Sequence, residues 1–512
     1  MSFVSHPLIK PETMESRKYQ ESVLASAAVK NILCVLPTGL GKTPIAIVLS
    51  ALRLEKFPDS KILITAPTRP LVNQHYKTFS HFLNLDPEKF QVVTGTTKPE
   101  DRESIYTAKK IILATPQTIQ NDLEEQRLNL KEFSLLVIDE IHHAVGGYAY
   151  PYIAKAYLEQ SKYPRILGLT ASPGGTREKI HEICQNTGIE AVEIRTERDE
   201  DVIEYVKEKE IEWLKVELPE SFEQIRDLLK AVYNKKVETL RKMKFARTRV
   251  TKKDLLDLQA HFIKSISQGN TKGFIGISVV SPAIKVEHAI GLLETQSITS
   301  LENYWKKLRA DESKGAKTLV ADKIISNAMF LTNSLAEQGY RHPKISKLCS
   351  LVSQQMKEKT DSKIIVFASY RDMVKEIAEV LAKIDNVKPV EFIGQSKRSK
   401  EGSGITQKEQ VKRLEDFRSG EHNVLVCTSI GEEGLDIPSM DLAVFYEPVP
   451  SEIRQIQRRG RVGRAKIGKV IILMTENTRD ETYYWVAHHK EKKMKSVLYE
   501  MQATKTFDEF KQ

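Results

Sequence analysis

The sequence predicts an α/β protein of two lobes, each built on a doubly wound parallel sheet, with an all-helical segment between them. Three observations predict it. Short, continuously apolar, β-branched runs closed by Thr, Pro, Ser or Asp recur in two separate groups. The roughly 20 to 40 residues between successive runs leave room for crossover helices. Between the groups the apolar period changes from strand-like to helix-like.

The first group is ILCVL (32–36), KILITAP (61–67), KIILATP (110–116), LLVIDE (135–140) and ILGLTAS (166–172). Apolarity without alternation means cover on both faces, the mark of a parallel sheet. The pattern returns as KIIVFAS (363–369), VEFIG (390–394), NVLVCTS (423–429), LAVFYEP (442–448) and KVIILM (469–474). Between them, FEQIRDLLKAVYNKKVETLRK and IKVEHAIGLLETQ have helical spacing. The expected division is therefore a first lobe over 1–205, a helical insertion over 206–345, a second lobe over 346–485 and a helical tail or linker over 486–512.

A chain of 512 residues with 40% hydrophobic and 29% charged residues has the composition of a folded globular protein with several cores. No run approaches the roughly 18 apolar residues of a membrane span, and the start lacks an apolar signal core. The expectation is an intracellular, cytoplasmic or nucleoid-associated protein without a membrane. Cys34, Cys184, Cys349 and Cys427 form no CxxC pair and read as buried thiols, not as a zinc or disulfide framework. Lys and Arg number 78 against 68 Asp and Glu, and the net charge of +10 favours an anionic polymer as partner. Residues 221–345 hold 22 basic against 12 acidic residues, so the insertion carries the whole surplus. Its densest patch, RKMKFARTRVTKK (241–253), includes Arg247, Arg249, Lys252 and Lys253. Standing alone it would read as a solvated helix face; its place between two lobes makes it a candidate nucleic-acid contact.

LPTGLGKT (36–43) follows an apolar strand and precedes the helix-like PIAIVLSALRLEK, the order that a phosphate-binding loop needs. Leu36, Pro37, Thr38, Gly39, Leu40, Gly41, Lys42 and Thr43 are thus candidate nucleotide contacts. The two glycines let backbone N–H groups turn toward phosphate oxygens, Lys42 reaches the β and γ phosphates, and Thr43 offers a hydroxyl to Mg2+. The strict pattern GxxxxGK[ST] has glycine where this chain has Leu36, so the match is partial. A glycine-rich turn used only for geometry is the competing reading, which the strand before and Lys-Thr after disfavour.

VIDEIHH (137–143) is a strand ending in two acids, which places Asp139 and Glu140 at the carboxyl edge of the same sheet. Asp139 would hold Mg2+ and Glu140 would take a proton from the water attacking the γ-phosphate. An Asp-Glu pair alone is more often a helix cap; the phosphate loop some 97 positions earlier reverses that. In QIQRRGRVGR (455–464), Arg458, Arg459, Arg461 and Arg464 are planar forks suited to phosphate, and Gly460 and Gly463 allow close backbone approach. Arg461 and Arg464 fit arginine fingers that would make hydrolysis depend on closure of the lobes.

In that order these residues resemble the superfamily 2 helicases, over nearly the whole chain: PTGLGKT matches motif I, DEIH (139–142) motif II, TAS (170–172) motif III, TSIGEEGLDIP (428–438) motif V and QRRGRVGR (457–464) motif VI. The resemblance implies two RecA-like lobes that clamp ATP and Mg2+. It further implies that Gln20 reads adenine with Arg17 nearby, that Gly434 and Asp436 meet the nucleotide, and that Gln457 helps sense the γ-phosphate. Ile141 stands where the family's DEAH has Ala; the two acids and His142 remain. Nucleic-acid contacts are implied in APTRP (66–70), VTG (93–95), ATPQT (114–118), FASYR (367–371), IGQ (393–395) and TS (428–429), through Thr68, Arg69, Gly95, Thr115, Ser369, Arg371, Gly394 and Thr428. Small hydroxyls and exposed N–H groups at strand ends suit phosphate oxygens, although turn chemistry alone yields many Thr-Pro pairs. Only the set carries weight.

The wording ATPQTIQNDL, HHAVGGYAY, LTASPG, HPKISKL and YEPVPSEIRQIQRRGR is similar to the archaeal Hef helicases and their eukaryotic relatives, the Fanconi anaemia group M helicases. This implies an ATP-dependent DNA helicase on forked and branched DNA in replication-fork repair, with 3′ to 5′ polarity, and a separate or fused XPF-type nuclease as partner. That nuclease's hallmark GDxxxERKxxxD does not occur in the sequence. Two readings stand beside it: a double-stranded RNA-dependent ATPase of the sensor or dicing type, whose lobes also flank a helical insertion, and an ATP-switched binding scaffold that does not unwind. Recognition of a 2′-OH needs only a few polar groups, so residue types separate DNA from RNA poorly.

Overall fold

The computed structural model describes residues 2–206, 209–246, 250–394, 406–428, 440–449 and 468–503. The first lobe is a seven-stranded sheet of β1 (Ile32–Val35), β2 (Lys61–Thr65), β3 (Phe90–Val93), β4 (Ile111–Ala114), β5 (Phe133–Asp139), β6 (Ile166–Thr170) and β7 (Ala191–Ile194). Its order is β3-β4-β2-β5-β6-β1-β7, parallel throughout. Period-2 alternation divides each inner strand between two cores. Leu33, Val35, Leu63, Leu136 and Ile138 enter one, and Ile32, Cys34, Ile62, Ile64, Leu135 and Val137 enter the other.

The second lobe is a six-stranded parallel sheet of β8 (Lys209–Val216), β9 (Ile364–Phe367), β10 (Pro389–Phe392), β11 (Val424–Cys427), β12 (Leu442–Phe445) and β13 (Gly468–Thr475). Its order, β10-β11-β9-β12-β13-β8, repeats the first six positions of the other sheet place for place. In that correspondence β8 stands where β1 stands in the first lobe.

This corrects the expected boundaries. Residues 206–345 are not all helical, because β8 pairs along its whole length with β13 and belongs to the second sheet. The helices begin at Glu220 and run through Glu337, and Pro343–Glu358 then leads into β9. The bundle is thus threaded into the second lobe between its first and second strands, and does not sit as a link between finished lobes. Phe222, Leu229, Val286, Leu293, Leu301 and Trp305 fill its core. Its helix 273–295 is long and apolar enough by composition to cross a membrane; here half of that stretch is buried in the bundle.

The expected tail over 486–512 is also corrected. A continuous helix, Arg479–Ala503, starts directly after β13 and ends on the other lobe. Met494, Val497, Leu498 and Met501, spaced along one face, complete the first lobe's core beside Val192 and Ile194. The Ile194 N–H at the sheet edge donates to Gln502 Oε1 at 3.0 Å. Four such side chains at about 1.5–3 kcal/mol each outweigh the exposed ion pairs of this helix, at about 0–1 kcal/mol each. The anchorage is therefore apolar. At its start, Asp480 pairs with Lys344, both enclosed, and Arg479 reaches Glu287 and Glu294 of the bundle at 3.1 Å each.

His342 lies wholly buried beside that pair, its Nδ1 accepting from the Lys344 N–H at 3.3 Å and its ring edge-on to Phe222. Burial, with Lys344 adding to it, holds its pKa well below the usual imidazole value. A depressed folded pKa means stability that is complete above the unfolded value of about 6.5 and is lost as pH falls below it. Denaturant midpoints should therefore drop between pH 7 and pH 5, and His342→Asn, which keeps a capping oxygen, should flatten that slope. Equal slopes in the two proteins would count against it.

Candidate active site

The loop that follows β1 departs from the strict phosphate-loop pattern for a visible reason. Leu36 is fully buried and prolongs the strand, its N–H donating to Thr170 O at 3.2 Å. No turn is made there, so no glycine is needed. The turn comes at Gly39 and Gly41, with φ of +93° and +79°, in the left-handed region that favours glycine. A Cβ on Gly41 would also collide with the Gln20 amide. Lys42 begins the helix Lys42–Lys56 and folds its Nζ onto Leu36 O at 2.9 Å, across the mouth of the loop. Thr43 sits beside it in the first turn, where backbone N–H groups and the helix dipole favour an anion.

Gln20 and Arg17 lie where the chain enters this site. Gln20 is buried, and its Nε2 donates to Leu40 O at 3.4 Å and Gly41 O at 3.3 Å, so it braces the phosphate loop itself. Tyr19, unmarked by sequence reasoning, donates its hydroxyl to Leu40 O at 2.5 Å. Arg17 is turned toward Glu15 and stands over the Tyr205 ring at 5.0 Å.

Asp139 ends β5 and is 7% exposed. Burial alone pushes its pKa up, but His75 and Lys42 oppose that and hold the carboxyl below the usual range. His75 Nε2 lies 2.7 Å from Asp139 Oδ2, and toward an ionised carboxylate it is the donor. His75 is a second residue that sequence reasoning missed. Its signal was a histidine within the buried stripe Val72, His75, Phe79 of the helix Arg69–Phe82. Glu140 adopts φ +50°, a left-handed conformation that is strained for a non-glycine residue and recurs at catalytic positions. Its Oε2 is buried 3.2 Å from His142 Nδ1 and makes no hydrogen bond among the described residues. His142 Nδ1 also meets Thr170 Oγ1 at 3.1 Å, tying the second motif to the third.

A left-handed loop, a lysine, a helix N-terminus, one carboxylate kept ionised and one left without a hydrogen bond form a donor set that fits a nucleotide triphosphate with Mg2+. Gln457, Arg461, Arg464, Gly434 and Asp436 lie outside the described residues, as do Arg247 and Arg249 of the basic patch. Lys252 and Lys253 are exposed at the start of the helix Lys252–Ser267, which Thr251 and Asp254 cap reciprocally.

The remaining candidates fall into matched pairs. Arg69 opens the helix after β2, and its Nη2 lies 3.1 Å from the position a Cβ on Gly95 would take, at the end of β3. Arg371 opens the helix after β9, and its Nη2 donates to Gly394 O at 2.8 Å, at the end of β10. Thr115 N donates to Val93 O at 3.4 Å after β4, and Thr428 N to Phe392 O at 3.2 Å after β11. Thr68 and Ser369 stand at the ends of β2 and β9, half-buried and exposed respectively. Eight residues chosen separately thus occupy equivalent strand ends in two lobes. The four cysteines are free, three of them buried and Cys349 half-buried.

Residues 13–175 match the family described as the res subunit of type III restriction enzymes, residues 343–466 the helicase conserved C-terminal domain, and residues 221–339 a helical bundle of ATP-dependent RNA helicases. A Methanocaldococcus jannaschii protein provisionally named an ATP-dependent RNA helicase is 43% identical over 98% of this chain and 63% of its own length. The ATP-dependent DNA helicase mph1 of Neurospora crassa is 34% identical over 91% of the chain and 41% of itself. The Fanconi anemia group M protein homolog of Mus musculus is 30% identical over 96% of the chain and 26% of itself. The chain thus spans from about a quarter to under two thirds of these relatives. The crystal structure of the Pyrococcus furiosus Hef helicase domain matches with a TM-score of 0.71 at 44% identity, over 93% of this chain and 99% of that one.

Replacing His75 by Ala leaves the Asp139 charge buried without its nearest partner. The metal-free protein should lose on the order of 3 kcal/mol, part of which Mg2+ with a nucleotide restores by binding the folded form. Urea unfolding with EDTA and with Mg2+ reads both effects; an unchanged midpoint in EDTA would show that the His75 contact contributes nothing.

Proposed function

The chain belongs to the Hef branch of the superfamily 2 helicases, and from that premise we propose an ATP-driven motor that acts inside the cell on forked and branched DNA, in replication-fork repair and with 3′ to 5′ polarity. The observation that carries it is the matched Arg–Gly pair at equivalent strand ends of the two lobes, Arg69 with Gly95 and Arg371 with Gly394. Two equivalent grips on one phosphate backbone, on lobes that move relative to each other, are what a translocating motor needs.

In this reading Lys42 leaves Leu36 O to meet the β and γ phosphates, and Thr43 with Asp139 holds Mg2+, which supplies charge neutralisation at the phosphates. Glu140, its Oε2 carrying no hydrogen bond, accepts the proton of the attacking water. Arg461 and Arg464 of the second lobe would complete the site on closure, with Gln457 beside them, so that hydrolysis and lobe movement are one event. Gly434 and Asp436 would meet the nucleotide from the same side, and the exposed Lys252 and Lys253 would join Arg247 and Arg249 in holding the duplex arm.

A second reading, a double-stranded RNA-dependent ATPase, is favoured by the name of the 43%-identical relative and by the family description of the bundle. The DNA helicases among the relatives and the Hef helicase domain weigh on the other side.

ATP hydrolysis should be stimulated most by forked DNA, less by linear duplex DNA and least by double-stranded RNA, and Glu140→Gln should reduce it by on the order of 10²-fold or more. Strongest stimulation by RNA would overturn the DNA reading. Lys252→Ala with Lys253→Ala should weaken fork binding and lower its salt slope by up to about 0.9 for each lysine that meets a phosphate. An unchanged slope in filter binding would remove the bundle from the interface.

A further inference from the structure

We infer that the C-terminal helix, Arg479–Ala503, is an arm that sets the Thr170–Ser172 turn according to where the bundle and second lobe stand, with Met494 as the positioning residue at its far end; this rests on the motor reading above. Met494 and Ser172 are buried, 2% and 1% exposed, and the Ser172 hydroxyl points to Met494 Sδ at 3.0 Å. A thioether accepts weakly, so most of the hold is packing. What matters is where the turn leads. Ser172 N–H donates to Thr170 Oγ1 at 3.1 Å, and His142 Nδ1 meets that same hydroxyl at 3.1 Å. Thr170 O accepts from Leu36 N–H at 3.2 Å. A displacement of Met494 therefore reaches the phosphate loop by one route and the Glu140–His142 turn by the other.

The near end is fixed with equal care. Asp480 is locked to Lys344 at the start of the second lobe. Arg479 spans Glu287 and Glu294 on the bundle, and a Cβ at Gly291 would stand only 2.7 Å from its Nη1, so the glycine makes room for the guanidinium. From Asp480 to Met494 the helix spans about 21 Å. His488, His489, Lys490, Lys492 and Lys493, in the middle of that span, are exposed. The arm is thus held at both ends and, through its middle, chiefly by its own backbone, the form in which a packed element carries displacement between distant sites. The route bypasses the cleft between the lobes. It lets the bundle's grip on DNA reach the ATP site even before the lobes have closed.

The test compares stiffness at constant charge in the full chain. Lys490→Gly with Lys492→Gly loosens the middle of the helix, and Lys490→Ala with Lys492→Ala removes the same charges but keeps it helical. The readout is the factor by which Mg2+ with a non-hydrolysable ATP analogue changes the affinity for a labelled DNA fork, which by linkage equals the factor by which the fork changes nucleotide affinity. We expect the glycine pair to bring that factor at least about five-fold closer to one and the alanine pair to stay within about two-fold of wild type, with nucleotide affinity in the absence of DNA unaltered in both. Met494→Ala should lower the factor as well, and adding it to the glycine pair should lower it no further, since both act through one arm. A glycine pair that keeps the wild-type factor, or losses that simply add, would overturn the arm and leave the motor reading intact. A wild-type factor of one would sink the motor reading itself.

Discussion

A parallel strand leaves the sheet at the same edge as its neighbours, and this constraint shapes the whole protein. With both sheets parallel throughout, each face must be covered and each connection must cross over, so every loop that follows a strand gathers along one edge. The phosphate loop after β1, Asp139 at the end of β5, the Thr170–Ser172 turn after β6 and the Arg–Gly pairs are all products of that alignment. Chemistry then needs only short polar substitutions at the ends of apolar runs. Asp139 shows the condition attached. A carboxylate placed there is buried by the packing that forms the edge, and it stays ionised because His75 and Lys42 stand beside it.

The two lobes repeat one plan and use it differently. In the first, the strand at β1 runs into the phosphate loop and the helix Lys42–Lys56. In the second, the equivalent strand β8 runs into the bundle. One position in the plan thus holds the nucleotide in one lobe and launches the basic insertion in the other, while the Arg–Gly pairs are kept in both. Duplicated grips with one asymmetric site are the economy of a machine that must hold one strand twice and hydrolyse once.

Much of this was legible in the residue order because buried strands are written as unbroken apolar runs. Of the strands missed, β3, β7 and β8 are sheet edges. An edge strand has one neighbour and a wetter face, and FQVV, AVEI and KEIEWLKV mix polar with apolar residues accordingly. Missing β8 displaced the boundary of the insertion. The phosphate loop and the two acids were readable from spacing, whereas His75 was not, because a histidine on an apolar helix face is more often a packed core residue than a partner to a catalytic acid. Met494 was beyond reach for a plainer reason. Its partner Ser172 is 322 positions away, and no local pattern encodes a contact at that range.

That distance also has a meaning in time. Ile194 and Gln502, joined at the edge of the first sheet, are 308 residues apart. At roughly 5 to 20 residues per second, a ribosome needs on the order of 15 to 60 seconds between making one and making the other. Throughout that interval Val192, Ile194 and their neighbours present an uncovered apolar face beside an open strand edge, the combination that invites pairing with another chain. The first lobe is the earliest part of the molecule to leave the ribosome and the last to have its surface finished. Biogenesis of this protein is therefore a matter of guarding one sheet edge until the end of the chain returns to close it.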